Sequence, residues 1–213
     1  MSLQSLYSQN ARHLGDDLAA TAAAAGAIAV ARGALAAVTK RLDDAGYSAV
    51  VGHEIEFMLV GPDGARLPQH LWAQYGLAGV LEHEGFVRDG TAAATSSGVA
   101  IEQFHPEYGA NQFEISLAPL APVAAADQLT LMRIIIGRVA RSYGMRASLS
   151  PVPFAGSVGS GAHQHFSLKR GDTPVFSGGE HPGGLTGEGS SAIAGVLGGL
   201  AEAQGVLCGS ILS

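Results

Sequence analysis

Residues 50–60 read VVGHEIEFMLV, and the alternation within them decides the fold. A strand sends residues i and i+2 to the same side. Ile55, Phe57 and Leu59 therefore form one apolar face, while Glu54 and Glu56 share the other with Met58 and Val60. Taken alone, this is the pattern of a half-buried strand with two solvated carboxylates. It does not stand alone. Residues 99–117, VAIEQFHPEYGANQFEISL, read as strand, tight turn, strand, with Glu107 near the turn. In the second strand Gln112, Glu114 and Ser116 face one way and Phe113, Ile115 and Leu117 the other. A third stretch, GAHQHFSLK at 161–169, puts His163, His165 and Ser167 opposite Ala162, Gln164, Phe166 and Leu168. Three strands that each carry metal-binding side chains on one face can bring them to a single site.

The segments between these strands read as helices and loops. Leu35, Val38, Leu42 and Ala45 fall at helical spacing, and Gly46 is the expected stop. Gly61 to Arg66 reads as a turn. Gln69 to Glu84 is expected to be helical, with Trp72, Leu77, Val80 and Leu81 packing inward. Gly90 to Gly98, rich in Ala, Thr and Ser, is expected to be a loop. Asp127 is placed to cap a helix running to about Tyr143, with Leu129, Met132, Ile135, Ile136 and Val139 on its buried face. Met145 to Val152 is a further strand candidate, and a proline- and glycine-rich loop leads from it into the histidine strand. A last helix is expected from Ser190 to Leu212.

Composition narrows the function classes. The chain of 213 residues, 47% of them hydrophobic, is long enough for one domain with a substantial core. A net charge of −6, with 12 Lys and Arg and no basic stripe, argues against nucleic acid as a partner. The one cysteine, Cys208, provides no disulfide framework, so a reduced, cytoplasmic setting is expected. The apolar run from Leu18 to Ala31 is too short to span a membrane. Asp16 and Asp17 precede it where a signal peptide would place positive charge, so residues 1–31 are left as an unassigned Ala-rich segment.

Oxygen-rich donors with one or two imidazoles suit Mg²⁺ or Mn²⁺, whereas structural zinc prefers thiolates. Four glutamates on one surface repel one another without counter-ions. Two or more divalent cations are therefore expected, an arrangement that commonly clamps phosphate oxygens. Neither a G-x-x-x-x-G-K-[ST] loop nor a strand-linked G-x-G-x-x-G is present, so a nucleotide would have to be held by another design.

GHEIEF at 52–57, IEQFHPEYGANQFEI at 101–115 and GSGAHQHFSL at 159–168 together resemble the glutamine synthetase family, class I type, in its ATP-dependent catalytic domain. The resemblance covers roughly Arg32 to Leu207. It implies an α+β fold, a curved and mainly antiparallel sheet whose polar concave face holds the metals, with helices on the apolar face. Residues 32–213 would be the N-terminal half of that domain. The resemblance implies that Glu56, Glu107 and Glu114 hold a first metal and that Glu54 and His163 hold a second. It also places Glu102, His165 and Ser167 near ATP and the backbone of Gly159 near substrate glutamate. The implied reaction joins ammonia or another amine to the γ-carboxylate of glutamate through a γ-glutamyl phosphate. Family members assemble as rings of subunits, so a homo-oligomer is the implied assembly.

The departures from the family pattern bear on substrate. Val158 stands where many members carry an asparagine that contacts glutamate, and HPEYG and PVPFAG look more like the branch that includes γ-glutamyl-amine ligases. Ala110 and Asn111 replace a frequent Pro-Gly. The family's N-terminal β-grasp domain and its arginine-rich C-terminal half have no counterpart in the sequence, so the 213-residue chain is expected to be an inactive fragment. The competing readings are a non-catalytic remnant of this fold and a metal-dependent hydrolase. Lys169 and Arg170 after the second histidine disfavour a cupin-like hydrolase, and the late position of H-x-H disfavours an amidohydrolase barrel.

Overall fold

The structure, a computed structural model, describes residues 31–68 and 71–207. Expectations for the Ala-rich start, for Gln69 and His70 and for Cys208 lie outside the described residues. The chain divides between Ala45 and Gly46 into two compact units. In the first, residues 31–44 form helix α1, which carries an exposed Lys40–Asp44 pair at 2.7 Å. Gly46, at φ +83°, takes the left-handed conformation that follows a helix end.

The second unit is built on a six-stranded antiparallel sheet. Its strands are β1 (Tyr47–Val60), β2 (Ile101–Pro106), β3 (Gln112–Leu117), β4 (Arg146–Ser148), β5 (Ala162–Arg170) and β6 (Thr173–Pro174), in the order β2-β3-β1-β5-β6, with β4 also paired to β1. The sheet is curled, with helices packed against it. Strand β1 sets the register for the rest. Glu56 pairs with Glu114 and Glu54 with Ser116 on β3, while Glu54 pairs with His163 and Gly52 with His165 on β5. The three polar faces expected from alternation therefore coincide on one side of adjacent strands.

The opposite face is the core. Ile55, Phe57, Leu59, Phe113, Ile115 and Leu117 pack against Phe86 and Ala94 of α3 (Glu84–Ser96) and Met132, Ile135, Ile136 and Ala140 of α4 (Pro122–Ser142). Phe57 lies at the centre, with ring centroids 6.0 Å from Phe86, 6.4 Å from Phe104 and 6.2 Å from Phe113. The site thus rests on a sheet backed by a dense aromatic cluster.

Several local expectations are corrected. Gly90 to Gly98 is not a loop, because α3 runs through to Ser96. Phe86, Gly90 and Ala94 recur at four-residue spacing on its buried side, and the alanines are strong helix formers. Thr91 and Thr95 bond back to the carbonyls four residues before them. The helix closes at Gly98, φ +75°, where Val99 N–H reaches Ala94 O in a Schellman arrangement.

Nor is Gln69 to Glu84 one helix. Residues 71–76 are irregular, and a short α2 (Leu77–Glu82) follows, with Leu77 and Leu81 exposed rather than packed. Trp72 does pack against the core, 5.4 Å from the Phe113 ring, and its indole N–H donates to Glu107 O at 2.7 Å. Asp127 does not cap α4. The helix begins five residues earlier at Pro122, whose fixed φ suits a first helical position. The strand expected over 145–152 shortens to Arg146–Ser148, since Pro151 and Pro153 cannot donate to a ladder. The last helix, α5, spans Gly187–Leu207.

Candidate metal centre and nucleotide cleft

Three of the acidic side chains owe their positions to strand ladders. Glu54 and Glu56 project from the middle of β1, and Glu114 from β3 beside them. Strand β2 adds His105, directly opposite Glu114 in register. Glu107 follows β2 at the turn, where its carboxylate accepts from Gln74 Nε2 and from the backbone N–H of Tyr108, both at 3.1 Å. That turn needs Asn111 at φ +62°, a conformation asparagine tolerates better than most residues. Together these groups and His163 line a cavity of about 560 Å³.

Two clusters inside it have metal-binding geometry. One ligand atom each from Glu54, Glu114 and His163 lie within 4.8 Å of one another, as do atoms from His105, Glu107 and Glu114. Glu114 belongs to both, so one carboxylate stands between two neighbouring positions. His163 Nδ1 is 3.1 Å and His165 Nε2 3.3 Å from the Glu54 carboxylate, while His105 Nε2 is 3.5 Å from Glu114 Oε1. Glu56 faces the same cavity and belongs to neither cluster; its Oε2 accepts from Gln112 Nε2 at 3.1 Å.

The electrostatics match the crowding. Burial pushes the Glu114 carboxyl above the usual carboxylate range, and the charges of Glu54, Glu107 and Glu56 push it further, against the opposing effect of His105. Tyr75, whose ring stands edge-on to His105 at 4.8 Å, is also raised, chiefly by the charge of Glu107. Concentrated negative charge with few counter-charges is what a divalent cation relieves. The donor set of four carboxylates and two imidazoles fits Mg²⁺ or Mn²⁺ better than a thiophilic ion.

A second cavity, about 330 Å³, opens beside the first across Glu54. Glu102, His165 and Ser167 line it, with His53, Leu117 and Phe166 among its other walls. The His53 imidazole is lowered below its ordinary value by burial and then by the charge of Arg133. The three side chains that resemblance placed near ATP thus gather in one cleft, separate from the acidic cavity and adjoining it. Gly159 lines the acidic cavity, and its carbonyl accepts from Gln112 Nε2 at 2.7 Å.

Alternation on β2 could have found His105, because His105 and Glu107 sit two residues apart in HPE, but a histidine before a proline is a weak signal by itself. Tyr75 reaches the cavity from irregular chain at φ +56°, which no periodicity announces.

Comparison with known proteins gives the family. The family model for the glutamine synthetase catalytic domain matches residues 29–213. A gamma-glutamylpolyamine synthetase of Streptomyces coelicolor, GlnA3, is 44% identical over 124 residues, 58% of this chain and 27% of the relative. A glutamine synthetase of Mycolicibacterium smegmatis is 33% identical over 162 residues, 74% of this chain and 36% of the relative. A solved glutamine synthase homologue superposes with a TM-score of 0.73 at 32% identity, covering 79% of this chain and 39% of the homologue. The chain therefore spans well under half the length of these proteins.

Proposed function

The chain belongs to the glutamine synthetase catalytic-domain family, and from that premise we propose that residues 46–207 carry the cation and nucleotide part of an ATP-dependent carbon–nitrogen ligase. The carrying observation is the meeting of β1, β2, β3 and β5. It brings Glu54, Glu107, Glu114, His105 and His163 into one cavity and Glu102, His165 and Ser167 into the next. Glu54 borders both, so groups holding a cation and groups facing a nucleotide are a single side chain apart.

In the proposed reaction the γ-phosphoryl group of ATP passes to the γ-carboxylate of glutamate. An amine then forms the C–N bond as phosphate leaves. Bound Mg²⁺ or Mn²⁺ would supply charge neutralisation at the phosphoryl oxygens. Glu54, Glu107, Glu114, His105 and His163 would hold the ions, with Glu56 available once its bond to Gln112 is exchanged. Glu102, His165 and Ser167 face the nucleotide, and the backbone at Gly159 faces the amino-acid substrate.

We assign the acceptor to an organic amine rather than ammonia. Val158 puts an apolar side chain on the acidic cavity, and the 44% identical relative bears the name gamma-glutamylpolyamine synthetase. The test is Mn²⁺-dependent binding of a non-hydrolysable ATP analogue to the purified chain and to a Glu102→Ala, His165→Ala variant. The proposal expects binding that needs Mn²⁺ and weakens at least about tenfold in the variant, the loss of one charge-assisted contact. Equal binding by the two proteins would refute the cleft assignment. In the full-length ligase, phosphate release driven by putrescine but not by ammonium would support the acceptor, and the reverse preference would overturn it.

A further inference from the structure

Gln112 opens β3 and is 1% exposed, yet its amide is engaged by three separate segments of chain. Its Nε2 lies 3.1 Å from Glu56 Oε2, 2.7 Å from Gly159 O and 3.2 Å from Ser160 Oγ, and its Oε1 accepts from the backbone N–H of Gly109 at 2.8 Å. An amide nitrogen carries two hydrogens, so three acceptors compete for two donors. One of those acceptors is a carboxylate on the acidic cavity, and a bond to an ionised group is the stronger kind. The other two belong to the loop that leads into β5.

The same loop touches Glu56 in two further ways. Glu56 N–H donates to Gly161 O at 3.2 Å. A Cβ placed on Gly161 would lie 2.8 Å from Glu56 Oε1, so only glycine leaves the carboxylate its present place. Farther along, the loop is held independently, with Arg66 over the Phe154 ring at 4.4 Å and donating to Ala155 O at 3.4 Å. Its folded course therefore does not depend on Gln112 alone.

We propose that Gln112 is a positioning residue that couples the charge on Glu56 to the loop at 157–161, which carries Val158 and Gly159 into the substrate side of the cavity. The inference rests on the reading of Glu56 as a cation-facing carboxylate. When a cation takes up the charge of Glu56, the competition at Nε2 shifts toward Gly159 O and Ser160 Oγ, and the loop is held more firmly. Cation binding thereby organises the wall that meets the amino-acid substrate.

The test is hydrogen exchange of the full chain by mass spectrometry, with and without saturating Mn²⁺, in wild type and in Gln112→Met. In wild type, Mn²⁺ slows exchange at 157–161 about tenfold, the change that one added hydrogen bond to the loop would make. In Gln112→Met, Mn²⁺ still binds by calorimetry but leaves that loop's exchange unchanged. Should the Met variant not fold, Glu56→Gln tests the same link from the other end, since it removes the charge that Mn²⁺ would take up while leaving the Gln112 amide and its contacts in place, and its loop should no longer respond to Mn²⁺. A response in either folded variant equal to wild type overturns the coupling, as does Mn²⁺ binding by wild type with no loop response. Absence of Mn²⁺ binding by folded wild type refutes the cation reading itself, and this proposal with it.

Discussion

Replacing Glu114 by glutamine should stabilise the metal-free protein and abolish its stabilisation by Mn²⁺. Acidic oxygens of Glu54 and Glu114 lie within 4.8 Å of one another. Two unit charges at that distance repel by about 0.9 kcal/mol at water-like screening and about 3.5 kcal/mol at an effective dielectric of 20. His105 Nε2, 3.5 Å from Glu114 Oε1, offsets part of this, and Glu107 adds to it. A net gain of about 1–2 kcal/mol for Glu114→Gln in EDTA follows, or roughly 2–8 °C in Tm for a unit of this size. In Mn²⁺ at about 100 times its Kd, wild type should gain about 2.7 kcal/mol and the variant little. The order of the two melting curves then reverses.

The pH dependence has a definite sign. The folded Glu114 carboxyl is raised above its ordinary value of 4.5. Its contribution to stability is fully present below that value and is lost as pH rises through the folded one. Wild type in EDTA should therefore lose stability as pH climbs from about 4.5, and Glu114→Gln should flatten that slope. Melting scans by circular dichroism from pH 4 to 8, with and without Mn²⁺, read all of this. A variant less stable than wild type in EDTA would refute the reasoning, as would one that Mn²⁺ stabilises as much as wild type.

Three further outcomes are expected. Gly161→Ala puts a methyl 2.8 Å from Glu56 Oε1 and 3.0 Å from His163 Cε1. Both are flexible side-chain ends, so folding should change by less than about 1 kcal/mol while Mn²⁺ affinity falls about 10–100-fold, as measured by chemical denaturation and calorimetry. Phe57→Ala empties the centre of the aromatic cluster and should cost about 3–5 kcal/mol in urea unfolding; a loss below about 1 kcal/mol would mean that the cluster is not the core. Asn111→Ala forces a β-carbon residue without a local amide into φ +62° and removes the bond between Asn111 Oδ1 and His83 Nε2. A loss of about 1–3 kcal/mol is expected by the same assay.

Strand alternation carried most of what the sequence could say about this site. It put Ile55, Phe57, Phe113 and Ile115 in the core and Glu54, Glu56, Glu114 and His163 on the other face, because a period of two leaves no other arrangement once one face is buried. It could not say how side chains on neighbouring strands divide among partners. Glu56 is turned to Gln112, and His105 stands beside Glu107 and Glu114. The first follows from the register of β1 against β3, strands far apart in sequence, and the second from the pairing of β2 with β3 across their hairpin.

The helical misreadings have a different cause. The stretch from Gly90 to Gly98 looks like a loop by composition, but the burial of Phe86, Gly90 and Ala94 against the sheet overrides the flexibility of a single glycine. Trp72 and Tyr75 are placed by bonds to residues 106 and 107, Trp72 Nε1 to Glu107 O and Tyr75 N–H to Pro106 O, which local pattern cannot anticipate.

The most direct test of the central claim, that β1, β2, β3 and β5 build a divalent-cation site, is a calorimetric titration of the purified chain with Mn²⁺, alongside a Glu54→Ala, Glu114→Ala variant whose fold is checked by circular dichroism. The account predicts saturable binding by wild type that the folded variant loses. Equal binding by both, or no binding by a folded wild-type chain, would contradict it.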